Sequence, residues 1–311
     1  MPKKMRLGLV AWWGMLVIIG CGTQKQFLPS TPTAVKALPN FDHIVIIVME
    51  NKKVDQIVNS PDAPYLNDLA AHYGSATQYY GITHPSLPNY LALTGGDTFG
   101  VTTDCTDCFV NRENVVDEIK ASGRSWKAYM ESMPTPCFVG NAKPYVQKHN
   151  PFIYYDDVRN NPARCNNIVP LEELTTDLQQ NALPNFVWIT PNMCNNMHDC
   201  PIETGDAWLK NWVPEILASA AWQADSVLFI TFDESKTEDA SGCCTYAAGG
   251  RIATLVISPR VASGFKSDVA YSHYSLLRTI EEAWGLPFLG KAECACTTTM
   301  SDFFQTPTAS P

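Results

Sequence analysis

Positive charge is scarce in this chain and nowhere concentrated. Lysine and arginine number 22 against 31 aspartates and glutamates, giving a net charge of -9, and no basic run follows the first few residues. A nucleic-acid backbone needs a dense basic surface, so that class of partner is excluded. No Gly-x-Ser-x-Gly elbow occurs, which removes the usual mark of a metal-free serine hydrolase. Cys105-Thr-Asp-Cys108 has no second Cys-x-x-Cys to complete a zinc ribbon. Internal repeats are absent. The apolar stretch from Leu7 to Ile19 is too short to cross a bilayer comfortably.

What is present at the N-terminus reads as an export signal. Pro2-Lys-Lys-Met-Arg6 is a short basic segment, the apolar stretch follows, and Val17-Ile-Ile-Gly-Cys21 resembles a bacterial lipobox. On that reading residues 1–21 are a lipoprotein signal and Cys21 is lipidated. Residues 22–40, rich in Pro, Thr and Gln, form a flexible tether, and 41–305 form one domain. The expected location is the cell envelope, exported and lipid-anchored. Setting Cys21 aside leaves ten cysteines, an even number in an oxidising compartment, so disulfides are expected. Adjacent Cys243 and Cys244 have Cα atoms about 3.8 Å apart, below the usual disulfide range. They are therefore expected to bond two different partners.

Along the remaining chain, apolar β-type runs alternate with helical patterns. His43–Met49, 76–80, 125–129, 185–190, 226–232 and 253–258 read as strands. Segments 64–72, 114–120, 206–221 and 272–283 read as helices. Such alternation predicts an α/β fold, a largely parallel sheet covered on both faces, with ligands gathering beyond the carboxyl ends of the strands.

Oxygen-bearing side chains fall at those ends. The first strand runs into Glu50-Asn51 and the strand near residue 230 into Asp233-Glu234. Ser86 opens the helical run of "HPSLPNYLALTGG", which Gly95-Gly96 would stop. A serine there caps a helix, attacks an electrophile, or does both from one position. Glu50, Asn51, Ser86, Asp233 and Glu234 together suit calcium or magnesium better than zinc.

These segments resemble a known family. His43-Ile-Val-Ile-Ile-Val-Met-Glu-Asn51 resembles the opening motif of the bacterial and fungal phosphoesterase family. That family comprises metal-dependent acid phosphatases and phosphatidylcholine-type phospholipases C of the alkaline phosphatase superfamily. His84-Pro-Ser86-Leu-Pro-Asn89 resembles its nucleophile segment, and Lys148-His149-Asn-Pro-Phe its His-x-Pro-Phe block. Met193–Cys200, with His198, occupies the place of a later histidine motif. Thr231-Phe-Asp233-Glu234 resembles the second metal motif, and Ser272-His273-Tyr-Ser-Leu-Leu-Arg the C-terminal helix.

The resemblance implies an alkaline-phosphatase-like three-layer α/β/α sandwich holding one divalent metal ion on Glu50, Asn51, Ser86, Asp233 and Glu234. It also implies a nucleophile at Ser86, forming a phosphoserine intermediate. His149 and His198 would contact phosphate or protonate the leaving group, and a Cys194–Cys200 bridge would fix the loop of His198. His273 would line the site or cap its helix, and His84 would position the turn. Zinc is a possible alternative ion. Lys52-Lys-Val-Asp55 stands where the family often has an aromatic ring. The long extra C-terminal domain of many phospholipase C members has no counterpart in these residues, so a compact phosphatase is the expectation. The expected substrate is a small phosphate ester or a phospholipid head group. The competing readings are a phospholipase C-type phosphodiesterase and a non-catalytic cell-surface binding lipoprotein.

Overall fold

The computed structural model describes residues 1–2, 38–222 and 225–304. The chain divides into Met1–Val35 and Lys36–Pro311, and all elements below belong to the second unit. The signal beyond Pro2, the lipobox with Cys21, and all of the tether but residues 38–40 lie outside the described residues. No helix among the described residues is long and apolar enough to cross a membrane.

Eight strands form one sheet: β1 (His43–Met49), β2 (Gly74–Tyr80), β3 (Trp126–Met130), β4 (Ile168–Pro170), β5 (Phe186–Thr190), β6 (Ser226–Phe232), β7 (Arg251–Ile257) and β8 (Lys266–Ser272). Their spatial order is β4-β3-β5-β1-β6-β7-β2-β8. In the centre, Val45 of β1 stands opposite Val187 of β5 and Leu228 of β6, all three strands parallel. Successive side chains on a strand point to opposite faces, yet β5 and β6 are buried at every position. Both faces of the sheet are therefore covered, which is why these strands read as unbroken apolar runs. Helix Pro64–His72 packs on helix Ile202–Ala218, while helix Ser86–Gly95 packs on His273–Trp284 and Val115–Ala121. The result is a three-layer α/β/α sandwich with a mostly parallel sheet.

The departures from expectation have physical causes. β7 runs antiparallel to both β6 and β2 because the loop after β6 returns directly, without a crossover helix. β4 and β8 were not legible as strands. Both are sheet edges: β4 is three residues ending in Pro170, and β8 exposes Lys266 and Asp268. The helix expected over 206–221 starts at Ile202 and ends at Ala218.

The cysteines pair as Cys105–Cys108, Cys137–Cys165, Cys194–Cys200, Cys243–Cys244 and Cys294–Cys296. The expectation that Cys243 and Cys244 bond different partners is thus wrong. The other eight cysteines pair among themselves, three of these bridges within six positions and Cys137–Cys165 across 28, and the adjacent pair closes on itself. Cys244 and Thr245 both adopt positive φ, 56° and 71°, at this turn.

Candidate active site

Two neighbouring strand ends build the wall of the site. Met49 of β1 pairs with Phe232 of β6, so the residues that follow each strand lie side by side. Glu50 and Asp233 are completely buried and Glu234 nearly so. Asn51 turns the chain at φ 50°, a left-handed conformation that Asn tolerates better than most residues. Its backbone N–H donates to Asp233 Oδ1 at 3.1 Å, and its Nδ2 donates to Glu234 Oε1 at 3.1 Å.

The turn after β2 brings Ser86 to this wall. Gly81 runs so close to the second strand end that an added Cβ would sit 3.0 Å from Asp233 O and 3.1 Å from Glu234 Cα. Asn89 then knots the turn, accepting from Ile82 and Thr83 N–H at 2.7 and 3.1 Å. Its amide donates to Thr83 and Pro85 carbonyls at 2.8 and 3.0 Å.

Ser86 is not the helix cap that its sequence position suggests. A cap needs extended backbone, and Pro85 supplies it (φ -84°, ψ -161°), leaving Ser86 as the first helical residue. Its hydroxyl instead lies 3.2 Å from Glu50 Oε2 and 3.3 Å from Glu234 Oε1.

The electrostatics of this wall fit a cation. Burial raises the Glu50 carboxyl above its ordinary range. Burial and then the neighbouring Glu50 push Asp233 well up. Burial, Asp233 and Glu50 together push Glu234 to about 10. Three carboxyls so close and so dry cannot all ionise by themselves. Asn51 Oδ1 and Asp233 Oδ2 are also buried without any hydrogen-bond partner. Unpartnered buried oxygens beside crowded carboxylates, with no nitrogen or sulfur among the donors, fit a hard divalent ion.

Each histidine has its own place. His149 is buried behind Glu50, its Nε2 3.2 Å from Glu50 Oε1 and its ring stacked on Tyr90 at 5.4 Å. Burial, aided by Lys148, lowers its pKa to about 3. His198 sits at the rim, 29 % exposed, its Nδ1 2.7 Å from Asp199 Oδ1 and its ring 6.1 Å from that of His149. The Cys194–Cys200 bridge spans its loop. His84 contacts Glu234 through Nδ1 and the Asp239 carbonyl, at 3.1 Å, through Nε2. His273 is buried, with Nε2 on the Asp233 carbonyl and Nδ1 3.3 Å from the Tyr79 hydroxyl. Ser272, not His273, caps that helix. His273 supports Asp233 from behind.

The structure adds residues to which sequence reasoning gave no role. Tyr90 donates to Glu50 Oε1. Lys52 donates to the Met197 carbonyl at 2.5 Å, tying the end of β1 to the His198 loop. Lys148 donates to Asp104 Oδ2 at 2.8 Å, and Asp104 Oδ1 accepts from Leu87 N–H at 3.0 Å. Tyr90 lies one turn beyond Ser86, a spacing that could have flagged it; the partners of the lysines are too distant in sequence to be read.

Fold and site together define a class: an α/β/α sandwich with a serine hydroxyl set against a wall of crowded, buried carboxylates at its strand ends. The comparison with known proteins narrows this. The sequence model of the Phosphoesterase family matches residues 58–287, and the chain belongs to that family. The match takes in Ser86, His149, His198, Asp233, Glu234 and His273 and begins after Glu50 and Asn51. A probable acid phosphatase of Kluyveromyces lactis is 34 % identical over 263 residues, covering 81 % of this chain and 60 % of its own. A phosphatidylinositol-3-phosphatase of Mycobacterium tuberculosis is 34 % identical over 274 residues, covering 85 % of this chain and 84 % of its own. The chain spans less than two thirds of the fungal acid phosphatases it matches. Among solved structures, an alkaline phosphatase superfamily protein of Vibrio parahaemolyticus aligns with TM-score 0.59 at 13 % identity. That alignment covers 86 % of this chain and 71 % of the other. The fold is therefore shared with this alkaline phosphatase superfamily protein.

Proposed function

We propose that this chain is an exported phosphatase that hydrolyses phosphate monoesters through a phosphoserine on Ser86. One observation carries the reading: Ser86 is withdrawn from capping and its hydroxyl is set between Glu50 and Glu234, beside unpartnered Asn51 Oδ1 and Asp233 Oδ2. The Phosphoesterase family membership and the names of the relatives support it.

Glu50, Asn51, Asp233, Glu234 and the Ser86 oxygen would hold one divalent ion, calcium or magnesium before zinc. Bound there, it would supply charge neutralisation and favour the serine alkoxide. The chain's own groups do the rest. Ser86 Oγ attacks phosphorus in line while the bond to the leaving oxygen breaks, and its proton has Glu50 and Glu234 within reach. His198, open at the rim, gives the leaving oxygen its proton. His149, stacked between Tyr90 and Glu50, fixes the carboxylate. Water then cleaves the phosphoserine and releases inorganic phosphate.

Phosphorylated lipid head groups that carry a monoester fall within this substrate class, as the name of the mycobacterial relative illustrates. Lipidation of Cys21 would hold the enzyme at the membrane, and Cys21→Ala is then expected to release it into the soluble fraction. The activity test is hydrolysis of p-nitrophenyl phosphate by wild type and Ser86→Ala, with and without EDTA. Loss of turnover with either treatment is the expected result. Turnover that survives in Ser86→Ala overturns the assignment, and turnover of p-nitrophenyl phosphorylcholine alone replaces it with a phospholipase C.

A further inference from the structure

We propose that Lys148 is a catalytic residue that seats the transferring phosphoryl group, that Asp104 keeps this seat filled between turnovers, and that the pair selects monoesters over diesters. The inference rests on the Ser86 reading above and specifies its substrate.

The first amides of a helix have no partner within the helix. Leu87, directly after Ser86, offers such an N–H beside any phosphoryl group carried on the serine. In the structure it donates to Asp104 Oδ1 at 3.0 Å, and the other oxygen of the same carboxylate accepts from Lys148 Nζ at 2.8 Å. Two donors, one a backbone amide and one an ammonium, thus converge on one two-oxygen anion next to the nucleophile. That is the donor arrangement a phosphoryl group requires.

The seat is firmly built and still open to exchange. The loop bearing Asp104 is bridged by Cys105–Cys108. It is pinned to the His149 segment by Gln147 Nε2 donating to Thr106 O at 2.9 Å and the Tyr154 hydroxyl donating to Cys105 O at 2.8 Å. Lys148 immediately precedes His149, and its charge acts across the site on Glu50 and Asp233. The Lys148 and Asp104 side chains remain 18 % and 27 % exposed, so a solute can reach and displace the carboxylate.

Displacement sets the selectivity. A substrate must outcompete a carboxylate of charge about -1 for both donors. A phosphate monoester brings a charge of about -1.5 to -2 near neutral pH, whereas a diester brings a single charge. The exchange therefore favours the monoester and is close to balanced for the diester.

The test compares p-nitrophenyl phosphate with bis(p-nitrophenyl) phosphate for the full chain with its divalent ion, in wild type, Lys148→Met, Lys148→Arg and Asp104→Asn. Inorganic phosphate binding is titrated in parallel, and thermal unfolding verifies that each variant is folded. Lys148→Met is expected to lose about 100-fold in monoester kcat/KM, to lose several-fold less on the diester, and to bind phosphate more weakly. Lys148→Arg should restore most of the monoester rate, and Asp104→Asn should lower the monoester KM. Lys148→Gln substitutes for Lys148→Met if the latter does not fold. Equal losses on both esters, or unchanged phosphate binding, overturn the proposal. If wild type hydrolyses neither ester while Lys148→Met still weakens phosphate binding, the Ser86 reading fails and the phosphate seat stands.

Discussion

Asn89 uses both its acceptor and its donor side on the turn that delivers Ser86, and nothing of it is exposed. Asn89→Asp would turn a second oxygen toward the Thr83 and Pro85 carbonyls. Such a buried mismatch costs about 2–3 kcal/mol, and a loss of both thermal stability and phosphatase rate is expected. Unchanged unfolding and kinetics would show that the turn holds without it. Glu281 gives a prediction on pH. It is buried, accepts from Leu289 N–H at 3.0 Å, and leaves Oε2 without a partner. Burial pushes its pKa up to about 9, against about 4.3 for an unfolded glutamate. A raised carboxyl favours the protonated native state, so its contribution to stability declines as pH rises from about 4.3 toward 9. Glu281→Gln should thus raise Tm by several degrees at pH 8 and hardly at all near pH 4, measured by circular dichroism. An equal gain at both pH values would contradict this. At this scale the meeting of Glu50, Asn51, Asp233 and Glu234 was legible only from the two pairs taken together and from the family resemblance, because polar residues commonly end strands and either pair alone is unremarkable. Lys148 and Asp104 were not, because their meaning comes from a contact across 44 positions.

At the scale of elements, the loop between β6 and β7 explains the precision of the site. It leaves β6 with Asp233 and Glu234, reaches His84 through the Asp239 carbonyl, and carries the Cys243–Cys244 bridge. It returns at Gly249, whose N–H donates to the Gly81 carbonyl at 2.9 Å. A Cβ on Gly249 would lie 2.7 Å from Gly81 C and from Thr83 N. Gly249→Ala should therefore displace the Ser86 turn and lower kcat at least about 10-fold, since small misplacements of reacting groups are costly. A variant with wild-type kcat would mean that the loop yields without moving Ser86. The central strands of the sheet were readable from their β-branched runs. Its edges and the reversal of β7 were not, because edge strands carry polar residues and strand direction is decided by connections rather than by composition. The extended backbone of Pro85, which makes Ser86 the first helical residue instead of the cap, is equally invisible in residue type.

For the whole molecule, packing and electrostatics divide the work. The covered sheet supplies the core, while the five disulfides span at most 28 residues and pin loops around it. What remains unbalanced is the carboxylate wall, and a divalent ion bound there should stabilise the fold by about 2.7 kcal/mol at a hundredfold excess over Kd. Chelation should lower Tm in wild type, and the effect should shrink in Asp233→Asn. A Tm indifferent to EDTA would remove the cation from the account. The central claim, however, is the covalent chemistry of Ser86. The most direct measurement is acid quenching of the enzyme during turnover of a ³²P-labelled phosphate monoester, followed by peptide mapping. Label on the peptide containing Ser86, absent from Ser86→Ala, is the predicted result; label on another residue, or an active Ser86→Ala enzyme, would contradict it.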